Sequence, residues 1–178
     1  FRVLWGFVGS STARFSAWVS SPFKALDYGL ALIKREPRPY LGHNPLGAWM
    51  IIALLLGLAS QGIAGLFTVD QNDMFGGPFA AFEEPTAWHK RLASYHHQAY
   101  YFILALVTVH VCVNLFYQYV KKDPIIRAMI TGRKPVEPFK DQPEMTPAPA
   151  EWARALACLA AAAVIVLGGI KLFGGKLG

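Results

Sequence analysis

Three stretches of this chain, Leu46 to Phe67, Tyr95 to Tyr119 and Trp152 to Phe173, are long and apolar enough to cross a lipid bilayer. A hydrocarbon core ~30 Å thick takes ~20 residues as helix, and inside it every backbone N–H and C=O must find a partner within the segment. The chain is therefore expected to be all-α, an integral membrane helical bundle with three full transmembrane helices. Composition agrees, since 54% of the 178 residues are hydrophobic and only 16% are charged. Aromatic side chains close both ends of the second run, with Tyr95, Tyr100 and Tyr101 at one and Phe116, Tyr117 and Tyr119 at the other. That is where such rings settle at a membrane–water boundary. In the third run Arg154 and Lys171 are placed to snorkel to the two interfaces.

The basic residues orient these spans. Arg14, Lys24, Lys34, Arg35 and Arg38 precede the first span, and Lys121, Lys122, Arg127, Arg133, Lys134 and Lys140 follow the second. The intervening loop, Thr68 to Ser94, sets only Lys90 and Arg91 against Asp70, Asp73, Glu83 and Glu84. By the positive-inside rule both basic segments face the cytoplasm and the acidic loop faces out. The formal charge of +6 thus reads as topology and contact with lipid headgroups, with no nucleic-acid patch behind it. An acidic outer loop is ordinarily a solvated face, and it also suits steering of a cationic electron-transfer protein.

The connecting segments carry their own signals. Phe1 to Gly9 reads as the cytoplasmic end of a membrane helix, so the chain is expected to be part of a longer protein; a short interfacial anchor is the alternative. Ser21-Pro22 supplies a capping hydroxyl and a proline at the first helical position, and Phe23, Leu26, Leu30 and Ile33 then recur at helical spacing. An amphipathic helix on the inner surface is expected there, ended by Glu36-Pro37-Arg38-Pro39. The prolines at 135, 138, 143, 147 and 149 predict an extended cytoplasmic linker. The expected organisation is a membrane core over 1–134, a Pro-rich linker over 135–150 and an additional transmembrane helix over 151–178.

Within the second span, His96 and His110 lie fourteen positions apart. At 100° per residue this spacing closes to within ~40° of whole turns, and at 1.5 Å rise it separates the rings by ~21 Å along the axis. The two imidazoles share a face near opposite leaflets, where a polar residue is a functional candidate by default. Neutral imidazole is a standard axial ligand for haem iron, so one helix carries a ligand for each of two stacked haems. The competing reading makes both histidines hydrogen-bonded residues of a cofactor-free structural or anchoring subunit. His97 points ~100° away from His96 and competes for the outer position. His89, seven residues before His96, shares its face if the helix extends outward that far.

Other features are less specific. Cys112 and Cys158 lie on different spans with no CxxC spacing, which makes them packing residues, and the absence of CxxCH excludes covalent haem attachment to this chain. Ala53, Gly57, Ser60 and Ala64 form a small-residue stripe suited to close helix packing, or to making room for a flat porphyrin. His43, in Gly42-His43-Asn44-Pro45, is either a solvated loop residue or a contact for a haem propionate or a quinone. Asn114, one turn from His110, shapes the inner pocket or simply packs. No catalytic triad, phosphate loop or carboxylate dyad is present, and no span carries a charged residue near its middle as a transporter would.

FRVLWGFVGS with ARF close behind, YLGHNPLGA leading into a span, H-x13-H followed by NLFYQY, and MITGRK together resemble the bacterial cytochrome b561 family, which includes the b-type cytochrome subunits of nickel-iron hydrogenases. The resemblance runs from Phe1 to about Lys134. It implies a four-helix membrane core, here represented by its C-terminal part, holding two b haems in the bacterial inner membrane. Its pattern puts the ligands of the last core helix on His96 and His110, with the other two on earlier helices. The activity implied is electron transfer between a quinone pool and a redox partner, a c-type cytochrome or another redox subunit, inside a larger membrane complex.

Overall fold

The computed structural model describes residues 1–34, 40, 42–70, 75–80, 86–131 and 151–175. Its helices are α1 (Arg2–Val8), α2 (Phe15–Trp18), α3 (Pro22–Ile33), α4 (Pro45–Gly65), α5 (Ala87–Tyr119), α6 (Ile125–Thr131) and α7 (Glu151–Leu172). Among the described residues the only extended pairing is an isolated antiparallel bridge between Val69 and Gly76. The protein is all-helical, and α4, α5 and α7, of 21, 33 and 22 residues, are long and apolar enough to span a membrane. Their surfaces expose Leu56, Ile63, Tyr101, Phe102, Val164 and Ile165. Exposure on this scale fits lipid as the solvent.

The helix boundaries follow from capping chemistry. Ser21 accepts a hydrogen bond from the Lys24 amide ahead of Pro22, as expected. Asn44 does the same for α4, its Oδ1 accepting from the Gly47 N–H at 2.8 Å while Pro45 fills the first helical position. The expectation of a loop reaching Ser94 needs correction, because α5 starts at Ala87, about 12 Å of helix before Tyr95. Thr86 and His89 explain the difference. The Thr86 N–H donates to Nδ1 of His89 at 3.2 Å, which also lies 2.8 Å from the Thr86 hydroxyl. This is the returning half of a capping box, with imidazole in the place usually taken by Glu or Gln, and it starts the helix ahead of the apolar run.

The chain divides into two compact units, one made of Phe1–Ile52 and Val107–Cys158, the other of Ala53–Leu106 and Leu159–Gly178. In the first, Arg2 lies over the rings of Phe15 and Trp18, and Trp18 is buried against the ring of His43. α3 exposes Phe23, Leu26 and Leu30, the apolar face expected to lie on a membrane surface. In the second, Phe67 stacks on Phe79 and meets the edge of Trp88, tying the segment after α4 to the start of α5. Gly77 rests directly on the Gly65 and Leu66 backbone, where any Cβ would collide.

The small-residue stripe of α4 packs closely on α5. A Cβ on Gly57 would stand 3.2 Å from Cγ1 of Ile103, whereas one on Gly62 meets nothing within 4 Å. Gly57→Leu is expected to lose about 1–3 kcal/mol by forcing the helices apart, and Gly62→Leu to leave stability unchanged. Equilibrium unfolding in bilayer discs checks this, and equal effects at the two positions would contradict the packing role of Gly57.

The expected linker over 135–150, the terminator Glu36-Pro37-Arg38-Pro39 and the acids Asp73, Glu83 and Glu84 lie outside the described residues. Asp70 is described, and its carboxylate accepts from the Phe75 N–H at 3.0 Å.

Candidate functional site

One stripe of α5 is shielded while the rest of the helix is exposed. Its members include His89, His96, Ala99, Ile103, His110, Asn114 and Tyr117, at steps of three, four and seven. The helical spacing that places His96 and His110 on one face is therefore the spacing of the helix's inward side. His97 is exposed and turned off that stripe, meeting His96 edge to face at 6.4 Å between centroids. His89 lies on the stripe, since the helix does extend that far, but its Nδ1 is engaged in the cap and its ring stacks on Trp88.

His96 is held by α4. Its Nδ1 lies 3.1 Å from the backbone oxygen of Gln61, and its Nε2 lies 3.3 Å from the Gln61 side-chain nitrogen. A carbonyl can only accept, so Nδ1 carries the proton and Nε2 presents the lone pair. Gly65 makes this approach feasible, because a Cβ there would come within 3.0 Å of the His96 ring. Tyr95 donates to Ser60 at 2.8 Å, a second polar link between the two helices.

His110 has a different environment. It is half-buried on the apolar span, and its ring makes no hydrogen bond or ring contact with the described residues. The Asn114 side chain, one turn on, is likewise without a hydrogen bond among them. An unpaired imidazole and an unpaired amide on one shielded face are unfavourable in hydrocarbon unless something else meets them. The stripe then reaches Tyr117, whose hydroxyl lies 3.0 Å from that of Tyr28 and 3.5 Å from the Asn44 amide nitrogen. Burial first, and then the bond to Tyr117, hold the Tyr28 phenol well above the ordinary tyrosine range, so it remains a neutral hydroxyl. Sequence reasoning missed this pair, although Tyr117 lies seven residues after His110 on the same face.

The His43 ring lies tilted against that of Trp18, with centroids 5.3 Å apart. Cys158 is buried and Cys112 exposed.

Among the described residues no group of three or more His, Cys, Asp or Glu side chains could hold a metal ion. What α5 offers is single imidazole nitrogens. That suits iron whose equatorial positions are already filled by a macrocycle, and suits a bare cation poorly. The donor chemistry fits haem at His96, with one nitrogen anchored to a carbonyl and the other bearing its lone pair, and at His110, with no competing partner among the described residues.

Fold and site together define a multi-pass membrane protein with imidazoles set along the shielded face of one spanning helix. The chain belongs to the prokaryotic cytochrome b561 family, whose sequence profile matches residues 1–132. Relatives include the "Probable Ni/Fe-hydrogenase B-type cytochrome subunit" of Rhizobium leguminosarum bv. viciae, 28% identical over 157 residues, covering 79% of this chain and 63% of the relative. The protein of the same name from Azotobacter vinelandii is 25% identical over 148 residues, covering 74% of this chain and 60% of that protein. The chain thus spans about three fifths of the length of these relatives. No solved structure matches it.

Proposed function

We propose that this chain is part of a b-type cytochrome that carries electrons across the bacterial inner membrane through two non-covalent haems, and that it supplies one ligand to each. The observation that carries the reading is the shielded stripe of α5, which presents His96 and His110 ~21 Å apart along one axis. Bound haem supplies one-electron chemistry at iron, whose potential follows from the axial ligands and the dryness of the site. His96 would bind through Nε2 while its Nδ1–H is held by the Gln61 carbonyl, which fixes the ring and its tautomer. His110 binds from the middle of an apolar run that excludes water. Asn114 orients polar groups one turn away, and His43, beside Trp18, contacts a haem propionate or a quinone.

The electron partners on this reading are a quinone in the membrane and a c-type cytochrome or other redox subunit outside it, within a larger assembly. The relatives' name supports a hydrogenase as that assembly. In a reduced-minus-oxidised optical spectrum of the purified protein, sharp b-type bands equivalent to two haems per chain are expected. Their absence from a folded preparation would leave the cofactor-free anchoring subunit as the better account.

A further inference from the structure

Gln61 contacts both nitrogens of one imidazole. Its backbone oxygen takes the Nδ1 proton of His96, and its side-chain N–H points to the Nε2 lone pair at 3.3 Å. Turning the amide nitrogen toward His96 leaves its other end stranded, because the Gln61 Oε1 is buried and has no hydrogen-bond partner. Neighbouring polar groups are satisfied by contrast, with Ser60 donating to the Gly57 carbonyl and accepting from Tyr95. A buried amide oxygen without a partner is unfavourable, so the amide is in a conformation that only its contact with His96 explains.

We propose that Gln61 is a positioning residue that keeps His96 in the Nδ1–H tautomer and covers its Nε2 lone pair in the haem-free chain, yielding that nitrogen when haem binds. The inference rests on the reading of His96 as a haem ligand. The two contacts have separate consequences. The carbonyl that anchors Nδ1 and the Gly65 backbone that makes room for the ring belong to the α4 main chain, so ring orientation survives loss of the amide. The amide itself competes with iron for one lone pair. Removing it removes a competitor and a stranded oxygen together.

The test uses protein produced in haem-starved cells, placed in bilayer discs and titrated with haemin in a His110→Ala background, so that one site is read. Gln61→Met removes the amide at constant side-chain length and is expected to tighten haemin binding about three- to tenfold, the weight of one hydrogen bond. Unchanged or weaker binding overturns the proposal. His96→Ala in parallel separates the two failures: undiminished binding there overturns the ligand reading and the inference with it, whereas loss of binding keeps the ligand reading whatever Gln61→Met does. Nitrogen-15 spectra of histidine in the haem-free protein need no Gln61 variant, with the His96 signals assigned by their loss in His96→Ala. An unprotonated, hydrogen-bonded Nε2 is expected, and an Nε2–H tautomer overturns the proposal.

Discussion

Replacing His110 with Ala is expected to remove one of two b haems while the protein remains in the membrane. The three spans owe their insertion to apolar length, and α5 keeps its continuous helix when one side chain is shortened. On the proposed reading, His110 would supply one of the nitrogens that hold the iron, and the variant would lack it. Groups that merely orient a metal ligand are commonly worth about 10- to 100-fold in affinity, so loss of the ligand itself is expected to exceed about 100-fold. Haem-to-protein ratio by pyridine haemochrome should fall by half, and imidazole added to a His110→Gly variant should restore part of it by occupying the vacated space. Asn114→Ala separates ligation from surroundings, since it should shift the midpoint potential of the same haem and leave stoichiometry intact. Two haems retained in His110→Ala would remove His110 from the ligand set.

The pattern behind that expectation was legible in the sequence because it is local. Fourteen residues of uninterrupted helix are enough to put two side chains on one face, and the apolar run from Ile103 to Phe116 is enough to guarantee the helix. Ser21-Pro22 announced α3 for the same reason, since a cap depends on residues within one turn, and Asn44-Pro45 starts α4 by the same local chemistry. The outward extension of α5 was not legible. His89, Lys90 and Arg91 read as a polar loop until His89 is seen to cap the Thr86 amide. The partners of His96 were beyond reach for another reason. Nothing local in the sequence singles out Gln61, and its contact with a ring 35 residues away depends on how α4 lies against α5. The Tyr28–Tyr117 pair, 89 residues apart, is longer in range still. Composition and period specify elements, whereas such polar contacts are specified by packing.

Of the three histidines near the outer end of α5, His96 alone is expected to matter for haem. His96→Ala should lose the second haem, and His97→Ala and His89→Ala should keep both. Each expectation has a separate physical reason. His96 lies on the shielded stripe with Nδ1 anchored, so its remaining nitrogen is aimed and carries the lone pair. His97 is exposed on the neighbouring face, and ligation from there would require α5 to turn by ~100°, which would carry His110 off the stripe as well. His89 shares the stripe, but its ring caps the Thr86 amide and stacks on Trp88 with centroids 4.1 Å apart. Truncating it should fray the first turn at a cost of about 0.5–2 kcal/mol, the usual weight of a lost cap. Thermal unfolding would read that loss while the spectrum stayed unchanged. Haem stoichiometry together with low-temperature electron paramagnetic resonance, which resolves low-spin haems by the mutual angle of their axial imidazoles, distinguishes the three variants. Loss of a haem in His97→Ala with both retained in His96→Ala would move the outer ligand one residue along α5, and the ladder of ligands on a single face would no longer hold.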